Sequence, residues 1–119
     1  MRVAVVGAGG VGGYFGGAMA RAGHDVRLLA RGEHRDAIRA WGLEVREPEG
    51  AWTVKVLATD KPEELLPADL AIVTVKSYSL VEVAPVVRRL AEGGAVAVPL
   101  LNGVEAFESL VELGVPADR

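Results

Sequence analysis

Apolar residues first appear as an unbroken run, Val3-Ala4-Val5-Val6, which predicts a strand over Arg2 to Val6 that is covered on both faces. The period then changes. Val11, Tyr14, Phe15, Ala18, Met19 and Ala22 recur at helical spacing, predicting a helix from Gly10 to Ala22 with that stripe in the core. Gly12, Gly13, Gly16 and Gly17 fall inside it, and each costs a helix up to ~1 kcal/mol relative to alanine. Such a segment stays helical only where something approaches its surface closely. The sheet and a bound pyrophosphate are the two candidates. Gly23 ends the helix as a C-cap.

Further along, Asp25 to Ala30 reads as a second strand, and Glu33 to Trp41 as a short amphipathic helix with Ala37, Ile38 and Trp41 inward. Leu43 to Glu47 and Trp52 to Val56 alternate apolar and polar around Pro48-Glu49-Gly50, the pattern of a half-exposed antiparallel hairpin in which Trp52 packs. Asp60 to Leu66 predicts a short helix with Pro62 in its first turn. Leu70 to Val75 is a second continuous apolar strand. A helix reaching Ala91 follows, with Leu80, Val83, Ala84, Val87 and Leu90 on one face and Pro85 expected to restart or kink it. Ala95 to Leu101 is the next strand, and Pro99 obliges it to end early or lie at an edge. A last amphipathic helix covers Glu105 to Leu113.

The first strand runs into Gly7-Ala8-Gly9-Gly10-Val11-Gly12, which spaces Gly7, Gly9 and Gly12 as G-x-G-x-x-G between a strand and a helix. Gly7 permits the sharp turn out of the strand, Gly9 leaves a pyrophosphate room against the backbone, and Gly12 lets helix and strand lie close. The helix start adds unpaired N–H groups and a partial positive charge. With the alternation of strands and helices, this predicts an α/β Rossmann-type fold. Its sheet is doubly wound and mainly parallel, with about five strands in the main body and an inserted antiparallel hairpin. The Ala95–Leu101 strand is expected to lack a neighbour, and an unpaired apolar edge favours a homodimer or contact with further sequence.

Cofactor choice turns on the second strand. Counting about 20 residues from Gly7 reaches Asp25, which looks like the acid that binds a ribose 2′-hydroxyl. Asp25 sits at the wrong end, in the turn before the strand. At the cofactor end stand Ala30-Arg31-Gly32, with no carboxylate among them. Arg31 can clasp a 2′-phosphate or stack on adenine, so the reading is NADP. His34 and Arg35 read as surface residues, with added cation density near the phosphate as the other reading. Lys76 and Asn102 follow the ends of later strands, on the same rim as the glycine turn.

Composition narrows the rest. The chain has 119 residues, half of them hydrophobic, enough for one compact domain but not for a dinucleotide domain plus a separate substrate domain. The net charge of −3 offers no basic field for nucleic acid, and no Lys/Arg cluster exceeds Arg88-Arg89. The absence of cysteine excludes disulfides, iron–sulfur clusters and thiolate zinc sites, and no metal ligands are assigned. With no leader ahead of the first strand and no apolar run of membrane-spanning length, a cytoplasmic protein is the expectation. No Gly-Lys-Ser/Thr closes the glycine run, which disfavours a nucleotide-hydrolysing loop.

Three separated motifs together resemble ketopantoate reductase (2-dehydropantoate 2-reductase). They are Val5-Val6-Gly7-Ala8-Gly9-Gly10-Val11-Gly12-Gly13-Tyr14-Phe15-Gly16, Thr74-Val75-Lys76-Ser77-Tyr78 and Leu101-Asn102-Gly103-Val104-Glu105. Ala30-Arg31-Gly32-Glu33-His34 is similar to that family too. The resemblance implies NADPH-dependent reduction of 2-dehydropantoate, a small 2-keto acid, to pantoate on the route to pantothenate and coenzyme A. It implies that Gly7, Ala8, Gly9, Gly10, Val11 and Gly12 hold the pyrophosphate. Arg31 and Lys76 would then face the adenosine end with its 2′-phosphate, and Asn102 would contact both nicotinamide ribose and substrate. Family members carry a second, mainly helical domain that supplies the catalytic lysine. The chain, read as one NADP-binding domain over 1–119, is expected to stop before that domain and before the last strands of its own, so no catalytic residue is assigned. Two other readings stand beside this one: an NADP-binding sensor or subunit without catalysis, and a related 2-keto-acid or hydroxyacid dehydrogenase.

Overall fold

The computed structural model describes residues 1–7, 10–74 and 80–99. In chain order the elements are β1 (Arg2–Val6), α1 (Gly10–Arg21), β2 (Asp25–Leu29), α2 (Gly32–Trp41), β3 (Leu43–Glu47), β4 (Gly50–Val54) and β5 (Leu57–Thr59). A short 3-10 helix (Pro62–Leu65), β6 (Leu70–Val73), α3 (Leu80–Glu92) and β7 (Val96–Pro99) complete them. Five strands form one sheet in the order β5-β2-β1-β6-β7, while β3 and β4 pair separately. Every pairing in the main sheet is parallel. The expected doubly wound, mainly parallel sheet with an antiparallel hairpin is therefore the observed one. Among the described residues no helix is long and apolar enough to cross a membrane.

Alternation along β1 divides the core. Val3 and Val5 join Val26, Leu28, Ile38 and Leu43 on one face. Ala4 and Val6 join Ala71, Val73, Val83, Val87 and Leu90 on the other. The chain moves outward from β1 through β2 to β5, then returns to β6 on the opposite side of β1. The reversal between β1 and β6 opens a crevice at the carboxyl ends of the strands, where open α/β sheets bind ligands.

Helix α1 departs from its expected orientation. Tyr14 and Phe15 are 45% and 43% exposed and meet edge to face on the outside. Ala22 is exposed, while Ala18 and Met19 are half-buried. The buried side carries Gly12, Gly13, Gly16 and Gly17. A Cβ on Gly16 would lie 3.1 Å from Val5 Cγ2, and one on Gly17 would lie 2.6 Å from Val45 Cγ2 of the hairpin. The close approach expected of this glycine-rich helix is present, and it turns the larger side chains outward.

Helix α2 buries Ile38 alone of the three residues expected inside; Ala37 is exposed and Trp41 is 82% exposed. It lies against β5, the edge strand, where Arg39 Nε donates to the Ala58 carbonyl at 2.7 Å. A sheet edge offers cover to a narrower stripe than a sheet face does. In the hairpin, pairing runs from Leu43↔Val54 to Glu47↔Gly50, so the turn is only Pro48-Glu49 and β4 begins earlier than expected. Leu43 and Val45 are buried under α1, and the Arg21 guanidinium covers the Trp52 ring at 4.6 Å. The fifth strand of the sheet is β5, a three-residue segment between the expected hairpin and the expected helix from Asp60, to which the pattern assigns no element.

Helix α3 runs through Pro85 as one element, so of the expected restart or kink the restart is corrected. Pro85 and Val81 are both exposed, so water can satisfy the Val81 carbonyl that lacks its helical donor. Buried Val83, Ala84, Val87, Leu90 and Ala91 form the expected inner face. β7 pairs only with β6 among the described residues, with Pro99 opposite Val73. The expected helix over 105–113 lies outside the described residues.

Candidate functional site

The cleft at the carboxyl rim has a volume of about 580 Å³ and is lined by Gly7, Leu29, Ala30, Arg31, His34, Asp60 and Pro62, together with Glu82, Val83 and Val86 of α3. Its size is that of a small-molecule site. Three strand ends converge on it. Val6 leads into Gly7, Leu29 into Ala30 and Arg31, and Thr59 into Asp60.

Gly7 has a φ of +104°, a conformation that favours glycine and turns the chain out of β1. Its carbonyl accepts a hydrogen bond from the Thr74 hydroxyl at the end of β6. A Cβ on Gly12 would collide with both the Gly7 carbonyl oxygen and the Thr74 Oγ1. The first and last glycines of the motif are thus in contact across the start of α1, as close helix–strand packing demands. Gly10 and Val11 open α1, and the Val11 side chain lies outside the described residues. Ala8, Gly9, Lys76 and Asn102 also lie outside the described residues.

Arg31 is exposed and extended at the N-cap of α2, with no capping hydrogen bond from its side chain. His34 is exposed one turn later on the same cleft. Arg35 is different. Its guanidinium reaches Asp36 Oδ1 at 3.0 Å and Asp60 Oδ2 at 2.7 Å. The hydrogen bond and charge of Asp36, then those of Asp60, push its pKa upward, so it stays charged and compensated.

Asp25 stands at the amino end of β2, level with Arg2, and its carboxylate meets Arg2 Nε at 3.5 Å and Arg27 Nη2 at 3.4 Å. It is across the sheet from Gly7, as the strand count requires. The rim is nevertheless not free of carboxylates. Asp60 and Glu82 both line the cleft, which corrects the expectation drawn from Ala30-Arg31-Gly32 alone. Asp60 carries no local signal of this position, because β5 is too short for its alternation to mark a strand. A parallel strand over 57–59 would have put residue 60 at its carboxyl end. Among the described residues no cluster of His, Asp or Glu could hold a metal ion.

Comparison with known proteins fits this arrangement. Residues 3–118 match the family described as Ketopantoate reductase PanE/ApbA. The 2-dehydropantoate 2-reductase of Pyrococcus abyssi is 36% identical over 114 residues, covering 96% of this chain and 37% of the relative. The crystal structure of a PanE/ApbA family ketopantoate reductase from Ralstonia eutropha JMP134 superposes with a TM-score of 0.87 at 41% identity, covering 95% of this chain and 38% of that one. A D-mandelate dehydrogenase solved with NADH and anilino(oxo)acetate superposes with a TM-score of 0.80 at 27% identity, over 98% of this chain and 38% of that one. The chain therefore spans a little over a third of the length of these relatives. By its sequence over nearly its whole length, and by the sheet that carries the glycine turn, this chain belongs to the ketopantoate reductase family.

Proposed function

We propose that this chain is the NADPH-binding part of an oxidoreductase that reduces 2-dehydropantoate to pantoate. The carrying observation is a glycine turn and an exposed guanidinium, Gly7 and Arg31, lining one cleft at the switch point of a sheet whose family is that of ketopantoate reductases. The described residues fit a phosphorylated dinucleotide. The turn has a glycine at positive φ, the Gly12 position has no room for a side chain, and Arg31 and His34 lie exposed where the adenosine end would rest.

Gly7 to Gly12 would hold the pyrophosphate, and Arg31 with Lys76 the 2′-phosphate. Asn102 would orient the nicotinamide ribose and the substrate. A neutral amide donates and accepts there without placing a charge beside the reacting carbon. The reduced nicotinamide, when bound, supplies the two electrons and the hydrogen that reach the keto carbon. No residue of 1–119 is assigned the proton for the new hydroxyl, so the role proposed for these residues is to bind and orient. Asp60 does not oppose a 2′-phosphate with a free charge, because Arg35 engages it.

A second reading draws on two observations: the carboxylate of Asp60 in the cleft and the likeness to the D-mandelate dehydrogenase solved with NADH. It keeps the chemistry and changes the substrate to another 2-keto acid and the cofactor to NADH. Titration with NADPH and with NADH in the presence of each of a panel of keto acids, followed by nicotinamide fluorescence, separates the two. Tightest binding of NADPH together with 2-dehydropantoate is expected, with no sustained oxidation of NADPH by residues 1–119 alone. Tighter binding of NADH together with an aryl keto acid would establish the second reading.

A further inference from the structure

Thr74 joins three elements. Its backbone N–H donates to the Val6 carbonyl at 3.0 Å, carrying the β1–β6 ladder one residue past the strand. Its hydroxyl donates to the carbonyl of Gly7, the first residue beyond β1. The same hydroxyl oxygen fills the space where a Gly12 Cβ would stand. A peptide is planar, so a carbonyl held at its oxygen fixes the plane of the peptide leaving that residue. At Gly7 this matters more than elsewhere, because a glycine at φ +104° has a wide range of conformations open to it.

We propose that Thr74 is a positioning residue for cofactor binding: its hydroxyl sets the direction in which the chain enters the glycine turn, and hence how the turn meets the pyrophosphate. This rests on the dinucleotide reading above. Thr74 touches no part of the cofactor in this role. It acts on the turn through Gly7 and on the start of α1 through Gly12. Valine at this site keeps the β-branched shape and removes the donor, whereas serine keeps the donor.

The test compares Thr74→Val, Thr74→Ala and Thr74→Ser with the unaltered protein, titrating each with NADPH and with adenosine 2′-phosphate, which carries no pyrophosphate. Thermal melting is recorded alongside. Thr74→Val and Thr74→Ala should weaken NADPH by about tenfold, the worth of one hydrogen bond. Adenosine 2′-phosphate should bind as before, and Thr74→Ser should bind NADPH nearly as well as the unaltered protein. Unchanged NADPH affinity in the valine and alanine variants overturns the proposal, as does an equal loss for both ligands. Loss of the folded state in both variants overturns it too, since the hydroxyl would then belong to the scaffold. If the unaltered protein binds no NADPH, the dinucleotide reading itself fails, an outcome distinct from these.

Discussion

Helices α1 and α3 cover the same sheet by opposite means. α3 buries Val83, Ala84, Val87, Leu90 and Ala91, so its apolar stripe is its inner face. α1 buries Gly12, Gly13, Gly16 and Gly17 and turns Tyr14 and Phe15 outward. α3 is held by area removed from water, which grows with side-chain size. α1 is held by proximity, which requires that side chains be missing. The difference follows from what each helix does. The start of α1 must stand against the strand ends to shape the turn, whereas α3 seals the opposite face and lends Glu82, Val83 and Val86 to the cleft wall.

Substitutions should therefore read differently on the two helices. The largest effect is expected at Leu90, which is 1% exposed: Leu90→Ala should cost about 2–5 kcal/mol in urea unfolding. On α1 the alanine that normally favours a helix should do harm. Gly12→Ala drives a methyl into the Gly7 carbonyl and the Thr74 hydroxyl, neither of which can move away cheaply. We expect a loss of about 1–3 kcal/mol, together with loss of NADPH binding in a fluorescence titration. Gly17→Ala meets Val45 Cγ2 at 2.6 Å, a stiff and buried side chain, so a destabilisation of about 1 kcal/mol should survive the gain in helix propensity. At Gly16 the nearest atom is 3.1 Å away, and the propensity gain and the contact should offset each other to within about 0.5 kcal/mol. If all three glycine variants stabilise the protein alike, the contact account of α1 is wrong and these glycines only weaken an ordinary helix.

The same contrast explains what could be read from the chain beforehand. Continuous apolar runs such as Val3 to Val6 and Leu70 to Val73 mark parallel strands directly, because both of their faces are covered. The stripe on α3 is legible for the same reason. On α1 the apolar period is genuine but points the wrong way, because the four glycines outrank it and hydrophobicity says nothing of how near a backbone must come. Trp41 misleads in a smaller way, since a helix at a sheet edge has less to bury against. In the candidate site, Gly7, Gly12 and Arg31 were legible from spacing and from strand direction. Asp60 was not, because a three-residue strand carries too short a pattern to separate from the hairpin before it. Thr74 was hidden differently. Its part depends on a carbonyl 67 residues away, a contact that no local pattern contains.

The central claim is that the cleft between the glycine turn and Arg31 is built for a dinucleotide bearing a 2′-phosphate. Titration of the purified protein with NADPH and with NADH, followed by nicotinamide fluorescence and repeated with Arg31→Ala, tests it most directly. The account predicts NADPH binding tighter than NADH by about tenfold or more, with most of that preference lost in Arg31→Ala. Binding of neither cofactor, or a preference for NADH that Arg31→Ala leaves untouched, would contradict it.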